Sequence, residues 1–215
     1  LRFIASKNTS LSQCLKYASA INIVLMPKVS RKKKKARVLS SKIAYRGPVF
    51  SVTTDYVLEP GGVRARRDVI HHSGSVVVMP VDDSGREPHV LLVRQYRHAA
   101  NDYLWELPAG RIDEGEHELA AAKRELIEET GYQASKWKRV LNFYASPGFL
   151  GETMSIYMAT GLKKGIAQPE EDEHITVRLF PLSQLVGNLL KGKIQDGKTI
   201  SGILWLTASR SGLPK

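Results

Sequence analysis

Residues 110–132 read GRIDEGEHELAAAKRELIEETGY, and their spacing decides the reading of the chain. The fixed positions are Gly110, Glu116, Arg124-Glu125-Leu126, Glu128-Glu129 and Gly131-Tyr132. Counting only the four glutamates, the arginine and the two glycines, at roughly one in fifteen per fixed position, such a match arises by chance in about one chain per million of this length. Asp113-Glu114-Gly115 marks a turn, and Pro108 and Gly110 read as ending the preceding strand. A helix is predicted from Glu116 to about Thr130, with Gly131 as its C-terminal stop. Leu119, Ala122 and Leu126 fall at helical spacing and form its core face. Glu125, Glu128 and Glu129 stand at i, i+3 and i+4, which puts three carboxylates on one face. Three like charges there destabilise an isolated helix. A hard divalent cation, which takes oxygen ligands, would make the cluster favourable. A solvated acidic face is the plain alternative for Glu128-Glu129 alone, but not with every other position in register.

The stretch resembles the Nudix box, the signature of hydrolases that cleave nucleoside diphosphates linked to another moiety. The resemblance implies Glu125 and Glu129 as principal metal ligands, Glu128 as an assisting one, and the backbone carbonyl of Ala109 as a further ligand. The implied ion is Mg2+, with Mn2+ as the alternative. Glu116 and Arg124 are then expected to shape the loop–helix–loop through a charged contact, and Gly110 and Gly131 to serve its backbone. The flanks narrow the resemblance. Val90 to Arg97 is an apolar strand turning polar, followed by Trp105-Glu106-Leu107-Pro108-Ala109-Gly110, and Ser146-Pro147-Gly148-Phe149 comes after the box. This combination is similar to the ADP-ribose pyrophosphatase branch, in which a proline at the place of Pro147 marks the subgroup. The likeness spans roughly residues 50–206 and includes Asp196-Gly197-Lys198-Thr199-Ile200. It implies splitting of ADP-ribose into AMP and ribose 5-phosphate, with GDP-mannose or UDP-glucose as alternative substrates. It also implies a homodimer paired through a small N-terminal β-region. A ligand sensor that binds without cleaving is a reading from another class, against which the complete set of glutamates speaks.

Hydrolysis of a diphosphate needs a carboxylate to orient or deprotonate water. Glu170-Glu171-Asp172-Glu173 lies on a loop after Pro169, and there Glu173 is the expected base, with Glu171 and Glu170 behind it. Glu129 or Glu128 on the helix could serve instead, and the plain reading of the loop is a solvated turn. Arg97 is a candidate donor to substrate oxygens, since its rigid fork suits phosphate, although a strand-end surface arginine reads the same way. Glu152 is a candidate contact to a sugar hydroxyl or a simple loop residue. Trp105 is read as core, and His71-His72 as strand-end residues rather than metal ligands.

The chain has 215 residues and a formal net charge of +11. Residues 1–54 hold twelve Lys or Arg and no Asp or Glu, whereas residues 55–215 hold twenty basic and twenty-one acidic residues. The positive charge therefore belongs to the N-terminal part, which weakens the case for a nucleic-acid-binding catalytic domain. Residues 1–44 are read as a basic, disordered extension in which the run 31–37 could touch nucleic acid or anionic lipid. The apolar run 18–26 is too short to span a bilayer. No secretory cleavage pattern follows it, and Met26 is a candidate natural start. Cys14 is the one cysteine, which excludes an internal disulfide and fits a reducing, cytoplasmic setting. Residues 45–72 are read as a small β-region with a hairpin at Glu59-Pro60-Gly61-Gly62, and residues 73–215 as the hydrolase domain. Strands are predicted at 74–81, 89–96, 137–144, 153–160 and 175–180, and helices at 181–190 and 201–209. Mixed strands with helices on both sides give an α/β/α sandwich.

Overall fold

Apolar residues at consecutive positions of one strand can be buried only if both faces of its sheet are covered. Residues 76–79 are Val76, Val77, Val78 and Met79, all fully buried. The computed structural model describes residues 35–166 and 175–211. In it the strand β4 (Ser75–Asp82) that carries them lies in the middle of a seven-stranded mixed sheet. The other strands are β5 (His89–Arg97), β6 (Asp102–Glu106), β7 (Ala109–Arg111), β8 (Tyr132–Tyr144), β9 (Thr153–Lys164) and β10 (Thr176–Pro181). The main path runs β10-β5-β4-β9-β8, with β6 beside β5 and β7 beside β4. Only β4 and β9 are paired in parallel; the other pairings are antiparallel.

Side chains of β4 alternate between two cores, as the two-residue period of a strand requires. Val76 and Val78 pack with Ala121, Ala122 and Leu126 of helix α1 (Glu118–Thr130). Val77, Met79 and Val81 pack with Leu185 of α2 (Leu182–Leu190) and with Ile203 and Leu206 of α3 (Gly197–Arg210). Each fully buried aliphatic side chain contributes about 1.5–3 kcal/mol relative to exposure, so the two apolar layers hold the helices against opposite faces. The arrangement is the predicted α/β/α sandwich. Trp105 packs edge-on against Phe180, in the core role expected of it.

A separate three-stranded sheet, β1 (Arg37–Arg46), β2 (Ser51–Leu58) and β3 (Arg64–His71), forms an antiparallel meander ahead of the sandwich. Its end is stitched to the loop after β8: Ile70 N–H donates to Phe149 O and Gly151 N–H to Ile70 O. Strand β1 begins at Arg37, inside the stretch that the sequence reading gave to the extension 1–44, so the β-region starts earlier than the expected residue 45. All ten residues of β1 are exposed and two register shifts interrupt its pairing. No contrast between inward and outward side chains was available to reveal it. Strand β6 ends just ahead of Pro108, as the sequence implies, whereas Gly110 does not end a strand but is paired with Val76 in the short β7. The pairing partner of β7 supplies what local propensity lacks.

Helix α1 starts at Glu118, two residues later than predicted, because Glu116 stays in the preceding turn with its N–H donating to Asp113 O. It ends as expected at Gly131, whose φ of 71° is left-handed and whose N–H closes on Ile127 O. Helix α3 begins four residues before the predicted Ser201, capped by the Asp196 side chain. Among the described residues no helix is long and apolar enough to cross a membrane.

Candidate active site

The face of α1 that turns from the apolar core toward β7 carries Glu125 and Glu129, both buried, and Glu128, half-buried. Arg124 gathers the acidic groups around one guanidinium. Its Nε donates to Glu116 at 3.1 Å and its Nη2 to the other Glu116 oxygen at 3.0 Å. Its Nη1 reaches Glu125 at 2.7 Å and Glu128 at 2.9 Å. The charged contact expected between Glu116 and Arg124 is thus present, and it ties the loop 111–116 to the helix through a further bond from Arg124 Nη2 to Arg111 O. Hydrogen bonds from Arg124 hold the Glu116 carboxyl below the ordinary carboxylate range. Those to Glu116, with the neighbouring acidic charges, push the Arg124 guanidinium further up.

Arg97, Ala109, Gly110, Arg124, Glu125 and Glu128 line one cleft of about 500 Å³, which Pro48 and Val49 of the β1–β2 hairpin also line. A second hollow of about 470 Å³ on the outer sheet, lined by Ser40, Lys42, Tyr56 and Arg66 among others, contains none of these carboxylates. Gly110 matters here for space. A Cβ built on it would stand 1.9 Å from Glu125 Oε1, so with any larger residue in this place of β7 the carboxylate would have to move aside. Gly110→Ala is expected to displace the carboxylate and lower turnover by about ten- to a hundredfold, as misplacement of a reacting group by an ångström does. Thermal unfolding beside the kinetics checks it, and unchanged turnover would show that the close approach is unimportant.

Arg97 does not stand alone. Its Nε and Nη2 make a two-pronged contact of 2.9 and 2.8 Å with the carboxylate of Glu106, which is 1% exposed. Its guanidinium is pushed up chiefly by those bonds, against the cost of burial, with the charges of Glu106, Glu129 and Asp196 adding to the effect. Glu106 and Lys198 stand in the family-like segments 105–110 and 196–200, and the sequence alone gives neither of them a role. Their sign in the sequence is weak, an acid within an apolar strand end and a lysine two residues after an N-cap.

The other candidates fall elsewhere. Glu152 accepts from Ser75 Oγ at 2.6 Å beside His72 and is not among the residues lining the cleft. Pro147 sits exposed on the loop tied to Ile70. Glu170, Glu171 and Glu173 lie outside the described residues.

Among the described residues, no three His, Cys, Asp or Glu side chains are already gathered closely enough to hold a metal ion. In this arrangement the positive charge lodged between Glu125 and Glu128 is the Arg124 guanidinium. The donor set is nevertheless all oxygen, which suits a hard divalent cation and no soft one. The bare Gly110 backbone beside Glu125 keeps the cleft wall close to it.

Residues 71–202 match the family model described as the NUDIX domain. The chain belongs to the Nudix family. This Nudix chain is 37% identical over 178 residues to an ADP-ribose pyrophosphatase of Mycobacterium tuberculosis, covering 81% of this chain and 84% of that protein. It is 31% identical over 169 residues to a GDP-mannose pyrophosphatase of Salmonella paratyphi B, covering 74% of this chain and 87% of that protein. Its fold is similar to a crystal structure of an ADP compounds hydrolase, with a TM-score of 0.71 and 24% identity over 85% of this chain and 98% of the other. The protein is a Nudix hydrolase close to the ADP-ribose pyrophosphatase branch.

Proposed function

We propose that this Nudix hydrolase cleaves the diphosphate of a nucleotide sugar, and that ADP-ribose, split into AMP and ribose 5-phosphate, is its substrate. The observation that carries the reading is that Arg97 and two of the α1 carboxylates, Glu125 and Glu128, line one cleft. Glu125, Glu128 and Glu129, with the carbonyl of Ala109, would hold Mg2+, for which Mn2+ could substitute. Such an ion, when bound, neutralises phosphate oxygens and lowers the pKa of a bound water. Arg97 gives Nε and Nη2 to Glu106, which leaves Nη1 to donate to a diphosphate oxygen. A carboxylate takes the proton of the attacking water, either Glu129 from the helix or Glu173 from its loop, and Glu128 supports it. The water oxygen bonds to one phosphorus while the bond from that phosphorus to the bridging oxygen breaks. Glu152 keeps its proposed contact to a sugar hydroxyl from beyond the residues that line the cleft, with one oxygen already accepting from Ser75. Val38, Ile43, Tyr45 and Tyr56 on the outer sheet are exposed, which supports pairing of two copies through this region.

The test is hydrolysis of ADP-ribose, GDP-mannose, UDP-glucose, NADH and a diadenosine polyphosphate with Mg2+, products resolved by chromatography. Release of AMP from ADP-ribose, abolished by EDTA, is the expected result. The likeness to a GDP-mannose pyrophosphatase favours that sugar as the second reading, and GDP-mannose turnover alone would select it. Binding of ADP-ribose with no turnover of any member would replace the hydrolase by a sensor.

A further inference from the structure

The first turn of α3 reaches across 92 residues of sequence to the peptide that leads into the cleft wall. Glu106 ends β6, directly ahead of Leu107-Pro108-Ala109-Gly110. A carboxylate 1% exposed is costly unless its charge is balanced and its lone pairs are used. One oxygen accepts from Arg97 Nε, the other from both Arg97 Nη2 and Lys198 Nζ. The ammonium, itself 8% exposed, also donates to Asp196 Oδ1 at 3.0 Å. The second Asp196 oxygen caps α3 by accepting from Thr199 N–H and also accepts a hydrogen bond from the Thr199 hydroxyl. That hydroxyl oxygen accepts from Leu107 N–H at 2.7 Å. Two adjacent residues of α3 therefore clamp both sides of the Glu106–Leu107 peptide bond.

We propose that Lys198 and Glu106 are positioning residues that aim Arg97 at the substrate diphosphate, an inference that rests on the reading of Arg97 as a phosphate donor. The geometry gives the reason. Glu106 fixes one edge of the guanidinium through Nε and Nη2, and burial pushes its carboxyl up, but the bonds from Arg97 and the charge of Lys198 outweigh this and keep it ionised. Lys198 binds the oxygen that Nη2 also uses, so the carboxylate is held from two sides and Arg97 is held with it. Arg97, with a side chain 41% exposed, keeps cationic character where it lines the cleft. A quartet that merely satisfied buried polar groups would affect stability and not the recognition of phosphate.

The full chain is assayed with ADP-ribose and Mg2+ as wild type, Lys198→Met, Lys198→Arg, Arg97→Gln and Arg97→Gln/Lys198→Met. Lys198→Met is expected to raise KM about tenfold with kcat within about threefold, and Lys198→Arg to recover most of the loss. In the Arg97→Gln background Lys198→Met should add no more than about twofold, because residues acting in series are non-additive. An equal tenfold rise in that background overturns the proposal. Should Lys198→Met fail to fold, Glu106→Gln/Lys198→Met removes both buried charges together; a raised KM supports the proposal and a wild-type KM overturns it. A reading independent of substrate is exchange of the Arg97 Nε–H, followed by 1H–15N NMR. It should quicken at least about fivefold in Lys198→Met, a change within the range of local opening, and unchanged exchange overturns the proposal. If the wild type cleaves none of the sugars, the functional reading fails and this exchange measurement alone decides the positioning.

Discussion

Glu129→Gln is expected to lower turnover of ADP-ribose by about 10²- to 10⁴-fold, the range over which a positioned acid or base acts. The exchange keeps the shape of the side chain and removes one negative charge from a residue that is 3% exposed. The helix should survive it. Its apolar face, through Ala122 and Leu126, and its Gly131 stop are untouched. What is lost is a hard anionic oxygen on the face that bears Glu125 and Glu128. Both of its proposed roles, holding Mg2+ and taking a proton from water, need that charge. Steady-state kinetics across a Mg2+ titration, with circular dichroism as a check on the fold, measures the effect. Turnover within about threefold of wild type would refute the assignment of this glutamate, since the amide lacks the negative charge that compensates a divalent cation and is no base. The same exchange at Glu173 then asks whether the loop carboxylate is the base.

Arg124→Met is expected to destabilise the fold by about 2–3 kcal/mol in EDTA at low ionic strength, a few charged hydrogen bonds' worth after discount for a partly exposed group. Three carboxylates converge on this guanidinium, whose side chain is 32% exposed. Without it, Glu116, Glu125 and Glu128 repel one another with no cation between them. For a chain of this size the midpoint of thermal unfolding should fall by about 5–10 °C. Millimolar Mg2+ should return part of the loss, because a divalent ion replaces the missing positive charge where the glutamates converge. A midpoint within about 1 °C of wild type in EDTA would show that the contacts carry no stability.

The sign of the pH dependence follows from Glu116. Its folded pKa lies below the ordinary value because of Arg124, so its contribution is present above the unfolded carboxylate pKa and lost as pH falls through the folded one. The gap between wild type and Arg124→Met should therefore be full near neutrality and close as pH falls below about 4.

How much was legible depended on distance along the chain. The carboxylate face of α1 and Arg124 lie within six residues, 124–129, and helical geometry alone puts i, i+3 and i+4 side by side. The same locality made the Gly131 stop readable, as it needs only a left-handed backbone at a helix end. The alternating burial of β4 also follows from period, so the two-sided sandwich could be anticipated before any coordinates. Strand β1 could not, because its exposed residues carry no inward–outward contrast, and β7 could not, because three residues become a strand only when β4 offers its hydrogen bonds.

The sequence by itself determined the box helix, its cluster of acids and the layered class of the fold, since each rests on the short-range periodicity of the backbone. Only the tertiary structure decided that Arg97 meets Glu106, that Lys198 reaches the same carboxylate from 92 residues away, and that Gly110 yields its space to Glu125. Those contacts depend on how the sheet folds the chain back on itself, and no local pattern of residues encodes such a distance.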